Sequence, residues 1–200
     1  MIAALVLAAG LGTRMGASKP LLDIDGAPAL ARVLAAIDAA GVAPVVVVLG
    51  RDADAIGAGV DLAGRTLVRN PCPECGLSSS LALGLDAAPA ACQGALIFHA
   101  DMPFVLARTV QAVEAAGRAG ARLAAPSFGG RRGFPVYIAR TCFETLRAGL
   151  DGDSGARAFL RQNAADLRLV AVGDPGCVID LDSPSDLAMR PKEAAWTTSA

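Results

Sequence analysis

Leu7-Ala8-Ala9-Gly10-Leu11-Gly12-Thr13-Arg14-Met15-Gly16-Ala17-Ser18-Lys19-Pro20 follows an apolar run over residues 2–9. A continuous, partly β-branched run that stops at a glycine reads as a strand buried on both faces, the type found in parallel sheets. In doubly wound sheets ligands bind at the carboxyl ends of strands, which is where this stretch begins. Its three glycines let backbone N–H groups approach an anion closely, and Arg14 and Lys19 add positive charge. A polyphosphate fits that description; a glycine-rich connector without a ligand is the alternative. The stretch is not a P-loop, because Gly16 is followed by Ala17 rather than Lys. It is not the dinucleotide fingerprint either, because the third glycine falls one residue late and residues 19–22 read as extended chain instead of a helix.

Working outward, short apolar runs alternate with longer Ala-rich segments. Strands are expected at 2–9, 44–49, 65–69, 95–100 and 122–125, with helices at 28–40, 77–88 and 106–118. Strand and helix in repeated order predict a parallel sheet covered on both faces. Beyond residue 126 the order loosens into a loop or hairpin at 126–133, strands at 134–139, 167–172 and 177–181, and helices near 141–150 and 153–163. Ser183 and Pro184 suit an N-cap and first helical position, and residues 191–200 read as a frayed tail. The expected fold class is α/β, a three-layer α/β/α Rossmann-like arrangement with a mostly parallel sheet. Residues 1–190 are expected to form one domain.

Composition narrows the function. Hydrophobic types make up 54% and charged types 18% of the 200 residues, enough for a core and against disorder. A net charge of −1 argues against electrostatic binding of nucleic acid. Only Lys19 and Lys192 are lysines and only His99 is a histidine, which excludes multi-histidine metal centres. The five cysteines, Cys72, Cys75, Cys92, Cys142 and Cys177, are odd in number and irregularly spaced, which argues against a disulfide framework. Cys72 and Cys75 form a CxxC with no second pair and no thioredoxin-like context. The run at 2–9 is too short for a membrane span and reads as a strand, not a signal peptide. No stretch reaches the roughly 18 apolar residues of a transmembrane helix. A soluble cytoplasmic protein without a membrane partner is expected.

The pattern L-A-A-G-x-G-x-R-M-G-x-x-K-x-L, present from Leu7 to Leu21, resembles the signature of nucleotidyltransferases of the MobA-like NTP transferase family. Within that family the likeness is strongest to molybdenum cofactor cytidylyltransferases, and it extends to about Met189. Guanylyl-transferring relatives usually carry two glycines where this chain has Ala9-Gly10, so the motif leans towards CTP. The resemblance implies nucleotide binding by Leu7, Ala8, Ala9, Gly10, Gly12, Thr13, Arg14 and Lys19. Asn70 to Leu81 resembles the family's G-x-x-x-S-[LI] stretch, which implies base and sugar contacts from Asn70, Gly76, Ser79 and Ser80. From chemistry alone the serines are equally well explained as helix N-caps.

Nucleotidyl transfer needs charge neutralisation at the reacting phosphate, normally from Mg²⁺ held by one or two carboxylates. Asp101 lies just past the strand at 95–100, on the same sheet edge as the glycine-rich loop, and matches the family's metal-binding Asp. Capping the helix that follows is a compatible role. Val178-Ile179-Asp180-Leu181-Asp182-Ser183-Pro184-Ser185-Asp186-Leu187 resembles the late D-x-D-[TS]-P-x-D-[LF] motif. If that strand alternates, Asp180 and Asp182 share a face; Asp182 is the preferred second metal ligand and Asp180 the second choice. A pair of solvated carboxylates is the alternative. Asp186 suits a first helical turn. His99 reads as a packed, hydrogen-bonded histidine.

Gly130 to Val136 resembles the family's G-x-x-G-H-P segment, with Phe134 where histidine is usual. Acceptor contacts are assigned to Arg131, Arg132, Phe134, Pro135 and Asp153; the two arginines either bind a phosphate such as that of molybdopterin or are solvated charges. Asp151 to Arg157 resembles the family's G-D-x-G-A-R loop at Gly152, Asp153, Gly155 and Arg157. The implied reaction moves CMP from CTP to the phosphate of molybdopterin and releases pyrophosphate, with Mg²⁺, or Mn²⁺ in its place. The implied partners are CTP, a molybdopterin-type acceptor and, transiently, a molybdoenzyme or its chaperone. The alternatives are the same fold with GTP, or with a sugar or alcohol phosphate as acceptor. From other classes come a nicotinamide-binding oxidoreductase and a non-catalytic cofactor chaperone.

Overall fold

The computed structural model describes residues 1–10 and 18–181. In chain order its elements are β1 (Ile2–Ala8), β2 (Asp23–Ile24), β3 (Ala27–Pro28), α1 (Ala29–Ala40), β4 (Val45–Leu49), α2 (Ala53–Gly59), β5 (Thr66–Arg69), α3 (Leu77–Ala87), β6 (Gly94–His99), α4 (Ala107–Arg118), β7 (Leu123–Phe128), β8 (Arg131–Arg132), β9 (Val136–Ala139), α5 (Phe143–Ala148), α6 (Arg157–Gln162) and β10 (Leu167–Ala171). The main sheet runs β10-β7-β9-β6-β1-β4-β5, with β8 paired to β7. β1 is parallel to β4 and β6, β4 to β5, and β10 to β7. β9 enters antiparallel between β6 and β7. The mostly parallel α/β sheet expected from the alternating runs is present.

The period of two along β1 sorts its side chains between two cores. Ile2, Ala4, Val6 and Ala8 pack with Leu30, Val33 and Ile37 of α1 and Val110 and Val113 of α4. Ala3, Leu5 and Leu7 pack with Leu81 and Leu85 of α3, Leu146 of α5 and Phe159 of α6. Every residue of β1 is therefore buried, which is why its sequence shows no polar alternation. From β1 the chain moves out to β4 and β5, then returns to β6 on the other side. That reversal leaves a crevice beyond the carboxyl ends of β1 and β6.

Several local expectations are corrected. Residues 19–22 do not run on as extended chain: Lys19–Leu21 is a 3-10 turn with Pro20 near its start, leading into the β2–β3 hairpin. Helix α2 gave no sequence signal, because it is short and contains Gly57 and Gly59. The helix expected at 153–163 is reduced to α6, preceded by a 3-10 turn at Gly152–Ser154 and by Gly155 at positive φ. The helix near 141–150 is a 3-10 turn at Arg140–Cys142 followed by α5. The loop or hairpin at 126–133 is a hairpin, closed by Gly129 and Gly130, both at positive φ as such a two-residue turn requires.

Residues 177–181 are not a strand. Pro175–Val178 is a 3-10 turn, and the chain continues extended but unlinked to any strand. Its backbone is tied to loops instead: Phe134 N–H donates to the Cys177 carbonyl at 2.8 Å and Leu181 N–H to the Asp101 carbonyl at 2.9 Å. The face-sharing argument for Asp180 and Asp182 lapses with the strand, and Asp182 lies outside the described residues, as do Ser183, Asp186 and the tail. Asp101 does not cap α4. That role belongs to Asp174, which is 1% exposed and accepts hydrogen bonds from Leu106 N–H at 2.9 Å and the Thr109 hydroxyl at 2.6 Å. Its other oxygen accepts from Gly176 N–H at 2.9 Å.

Removing a buried acceptor strands three donors. Asp174→Ala is expected to lower the unfolding free energy by about 3 kcal/mol in urea titration, against less than about 1.5 kcal/mol for the exposed Asp61→Ala. Equal losses for the two variants would contradict this account.

Candidate functional site

Beyond the carboxyl ends of β1 and β6 lies a cleft of about 330 Å³, with Leu7 to Gly10 on one side and His99 to Asp101 on the other. Residues 11–17, which include Gly12, Thr13 and Arg14, lie outside the described residues. The 3-10 turn at Lys19–Leu21 carries Lys19 back to the cleft, where Nζ is 3.4 Å from Asp101 Oδ2. Both side chains are largely shielded, at 18% and 25% exposure, so this pair feels less solvent screening than an ordinary surface ion pair. Ala100 N–H donates to the Leu7 carbonyl at 3.2 Å, which continues the β1–β6 ladder past the strand end and fixes the step to Asp101.

The far wall of this cleft is the loop from Asn70 to Gly76. Asn70, buried, donates from Nδ2 to the hydroxyls of Ser79 at 2.8 Å and Ser80 at 2.9 Å, and its Oδ1 accepts from Cys72 N–H at 2.9 Å. Ser79 donates to the carbonyls of Cys72 at 3.2 Å and Gly76 at 2.8 Å. Asn70 and Ser79 thus shape the loop from behind, while Ser80, Gly76, Pro73 and Glu74 line the cleft. The serines are not N-caps, since Gly76 occupies that position. Cys72 and Cys75 are joined in a disulfide across the loop, a pairing the irregular cysteine spacing did not suggest; Cys92, Cys142 and Cys177 are buried free thiols.

Gly76 has φ +89°, and a Cβ there would sit 2.5 Å from the Gly152 carbonyl oxygen. That contact lets the 151–155 loop close over the start of α3. Asp153 Oδ1 accepts from Leu77 N–H at 3.3 Å, and the Ser78 hydroxyl donates to the Asp151 carbonyl at 2.9 Å while accepting from Gly155 N–H at 3.1 Å. Asp153, grouped by sequence with the acceptor residues, therefore stands in the first cleft.

A second cleft of about 340 Å³ adjoins the first and shares Leu7, Leu77, His99 and Asp101 with it. Arg131, Arg132, Phe134, Arg157 and Asp180 line it, but Pro135 does not. Asp180 is thus brought to the Asp101 end of the crevice by the 175–181 segment. His99 stands at the junction, its ring edge-on to Phe134 with centroids 4.4 Å apart. Burial pushes its pKa below the ordinary imidazole value; Asp101 and Asp180 oppose that, and Arg157 and Lys19 reinforce it. Burial, and then Arg157, lower the pKa of the Arg132 guanidinium. Sequence reading gave His99 a packing role only and passed over Arg157 as a motif match. Its match to the G-D-x-G-A-R loop was the available signal, and the structure adds that Arg157 opens α6 just past Gly155 and lines the second cleft.

Chemically, the crevice offers hard oxygen donors, a shielded lysine and guanidinium groups, a set suited to a metal-bound polyphosphate. Among the described residues no three His, Cys, Asp or Glu side chains gather into a metal site by themselves. One or two carboxylates completed by phosphate oxygens and water is the usual arrangement for Mg²⁺, so Asp101 and Asp180 fit such an ion. Among the described residues no helix is long and apolar enough to cross a membrane.

Residues 4–167 match the MobA-like NTP transferase domain, and the chain belongs to that family. It is 30% identical over 190 residues to the nicotine blue oxidoreductase of Paenarthrobacter nicotinovorans, covering 91% of this chain and 92% of that protein. The solved structure of Rv0371c from Mycobacterium tuberculosis H37Rv in complex with manganese is 27% identical with a TM-score of 0.81, covering 94% of this chain and 96% of the other. A nucleotidyl transferase from Methanothermobacter thermautotroptrophicus is 25% identical with a TM-score of 0.82, over 95% and 96% of the two chains.

The histidine gives a pH test. The unfolded imidazole takes up a proton near pH 6.5, about the usual value, while the folded one resists it. Its contribution to stability is therefore present above about pH 6.5 and lost as pH falls below it. In metal-free buffer the unfolding free energy of His99→Gln is expected to fall less steeply than that of the wild type between pH 7 and 5. Parallel curves would remove the assigned burial effect.

Proposed function

We propose that this MobA-like NTP transferase moves CMP from CTP to the terminal phosphate of a molybdopterin-type acceptor and releases pyrophosphate. The observation that carries the reading is the meeting of Lys19 and Asp101, 82 positions apart, in a cleft also lined by Leu7 to Gly10. The triphosphate occupies this first cleft. Lys19, Arg14 and the N–H groups of the glycine-rich loop offset its charge, and Gly76 and Ser80 border its base and sugar. Asn70 and Ser79 keep that wall in shape. The lean to CTP rests on Ala9 preceding Gly10.

Asp101 and one carboxylate of the 180–182 segment hold Mg²⁺ or Mn²⁺. Asp182 is preferred on motif grounds, and Asp180 is the one bordering the second cleft. When bound, the ion supplies charge neutralisation at the reacting phosphate. The acceptor lies in the second cleft among Arg131, Arg132 and Phe134, and its phosphate attacks the α-phosphorus at the junction near His99. A phosphate is already ionised at neutral pH, so no side-chain nucleophile or strong base is needed; catalysis is positioning and electrostatics. The manganese complex of Rv0371c supports a divalent ion in this fold.

A second reading is favoured by one observation, the likeness over 91% of the chain to a relative named for oxidoreductase activity. In that reading the two clefts hold a reduced cofactor and its oxidant. Pyrophosphate release with each NTP, with and without molybdopterin, separates the two. CTP with Mg²⁺ and acceptor is expected to give the fastest release. Lys19→Ala and Asp101→Ala are each expected to lower kcat/KM by about 100-fold or more. Absence of release with every NTP, together with tight NADH binding, would replace the transferase reading with the oxidoreductase one.

A further inference from the structure

We propose that Arg157 and Arg132 form a guanidinium clamp for a phosphate in the second cleft. Under the transferase reading this is the acceptor's phosphate, and only that assignment of the ligand rests on that reading. Both side chains line the cleft, one from the first residue of α6 and the other from the hairpin strand β8. Leu77, Leu81, Ile97 and Leu160 also line the cleft, together with His99, Asp101 and Asp180. Seven other arginines, at 32, 51, 65, 69, 118, 122 and 147, lie in ion pairs with carboxylates. Among the described residues Arg132 and Arg157 are in none. Asp101 and Asp180 border the same cleft but neither is ion-paired with Arg132 or Arg157 among the described residues, so the two guanidinium groups repel and a dianion bound between them relieves that repulsion.

The electrostatics agree with this placement. His99, Arg132 and Arg157 line the same cleft, and Arg157 contributes, after burial, to lowering the pKa of both of the others. Arg131 borders the same cleft, but its guanidinium donates to the Val178 carbonyl at 3.4 Å. The planar fork of a guanidinium matches phosphate oxygens bidentately, so a phosphate suits the pair better than a carboxylate or a halide. Arg157 also has a fixed base. Gly155 N–H donates to the Ser78 hydroxyl at 3.1 Å, so the loop that closes the first cleft also sets the position of the clamp in the second.

The test is calorimetric titration with inorganic phosphate of the wild type, Arg157→Ala, Arg157→Lys and Arg132→Ala, with Arg161→Ala as a charge-matched control on the exposed side of α6. The wild type is expected to bind one phosphate. Arg157→Ala and Arg132→Ala should weaken it tenfold or more, Arg157→Lys should fall between, and Arg161→Ala should stay within threefold. Phosphate binding that is absent in the wild type, or equal in Arg157→Ala and Arg161→Ala, overturns the clamp. Arg132 sits on an exposed hairpin, so its variant decides the matter should Arg157→Ala fail to fold. In pyrophosphate release assays Arg157→Ala should raise KM for the acceptor tenfold while leaving KM for CTP unchanged. A clamp confirmed by calorimetry with no release from any NTP keeps the clamp and removes the transferase reading.

Discussion

The burial of β1 on both faces governs the rest of the molecule. A strand with helices above and below and parallel partners on either side leaves its chain only one exit, over the carboxyl edge of the sheet. The residues after it must then serve at that edge, whatever their chemistry. Register does the remainder. Leu7 is paired with His99, so the residues two steps on, Ala9 and Asp101, arrive side by side at the crevice. Lys19 returns to the same place because Pro20 starts a tight turn there instead of letting the chain run on. A cleft at this point is thus a result of strand order, and its chemistry is a result of which residues follow two strands by a few positions.

The loops around the crevice are held differently from the sheet. Three buried polar side chains, Asn70, Ser78 and Asp174, each tie together segments that helix and strand ladders do not reach. Asn70 gathers the 70–76 loop onto α3, Ser78 fastens the 151–155 loop across it, and Asp174 fastens the 174–181 segment to the start of α4. Such groups are costly to bury without partners and specific in the partners they accept, which suits them to fixing loop geometry. The apolar cores set where the crevice lies, and these polar ties set its shape.

This division explains what could be read from the sequence. β1, α1, β4, α3, β6 and α4 carry their own periodicity and were legible within a residue or two at each end. So was the edge shared by Asp101 and the start of the glycine-rich loop, since both follow from strand order, whereas the return of Lys19 depends on the 3-10 turn at Lys19–Leu21. Helix α2 was not legible, because two glycines erase its local preference, and the strand expected at 177–181 rested on apolar residues that instead bury against Ile24, Ala29 and Phe104 without joining the sheet. The disulfide of Cys72 with Cys75 is a local closure of the 70–76 loop that the spacing of the five cysteines did not single out. The cap supplied by Asp174 and the position of Asp153 against Leu77 depend on contacts across long chain separations. His99 and Arg157 belong with them. Each lies next to a legible element, but the meeting of β6, the β7–β8 hairpin and α6 that gives them a shared cleft is a tertiary event without a local signature.

The ion pair of Lys19 and Asp101 carries a further consequence. Each charge serves as a counterion to the other. A cation arriving at Asp101 draws it away from Lys19, and a polyanion arriving at Lys19 draws it away from Asp101. Under the proposed transferase function, binding of the two would be heterotropically linked, and by reciprocity the gain would be the same in whichever order they enter. On that proposal the pair would act as a coincidence detector, favouring a neutralised complex of metal and polyphosphate over either component alone.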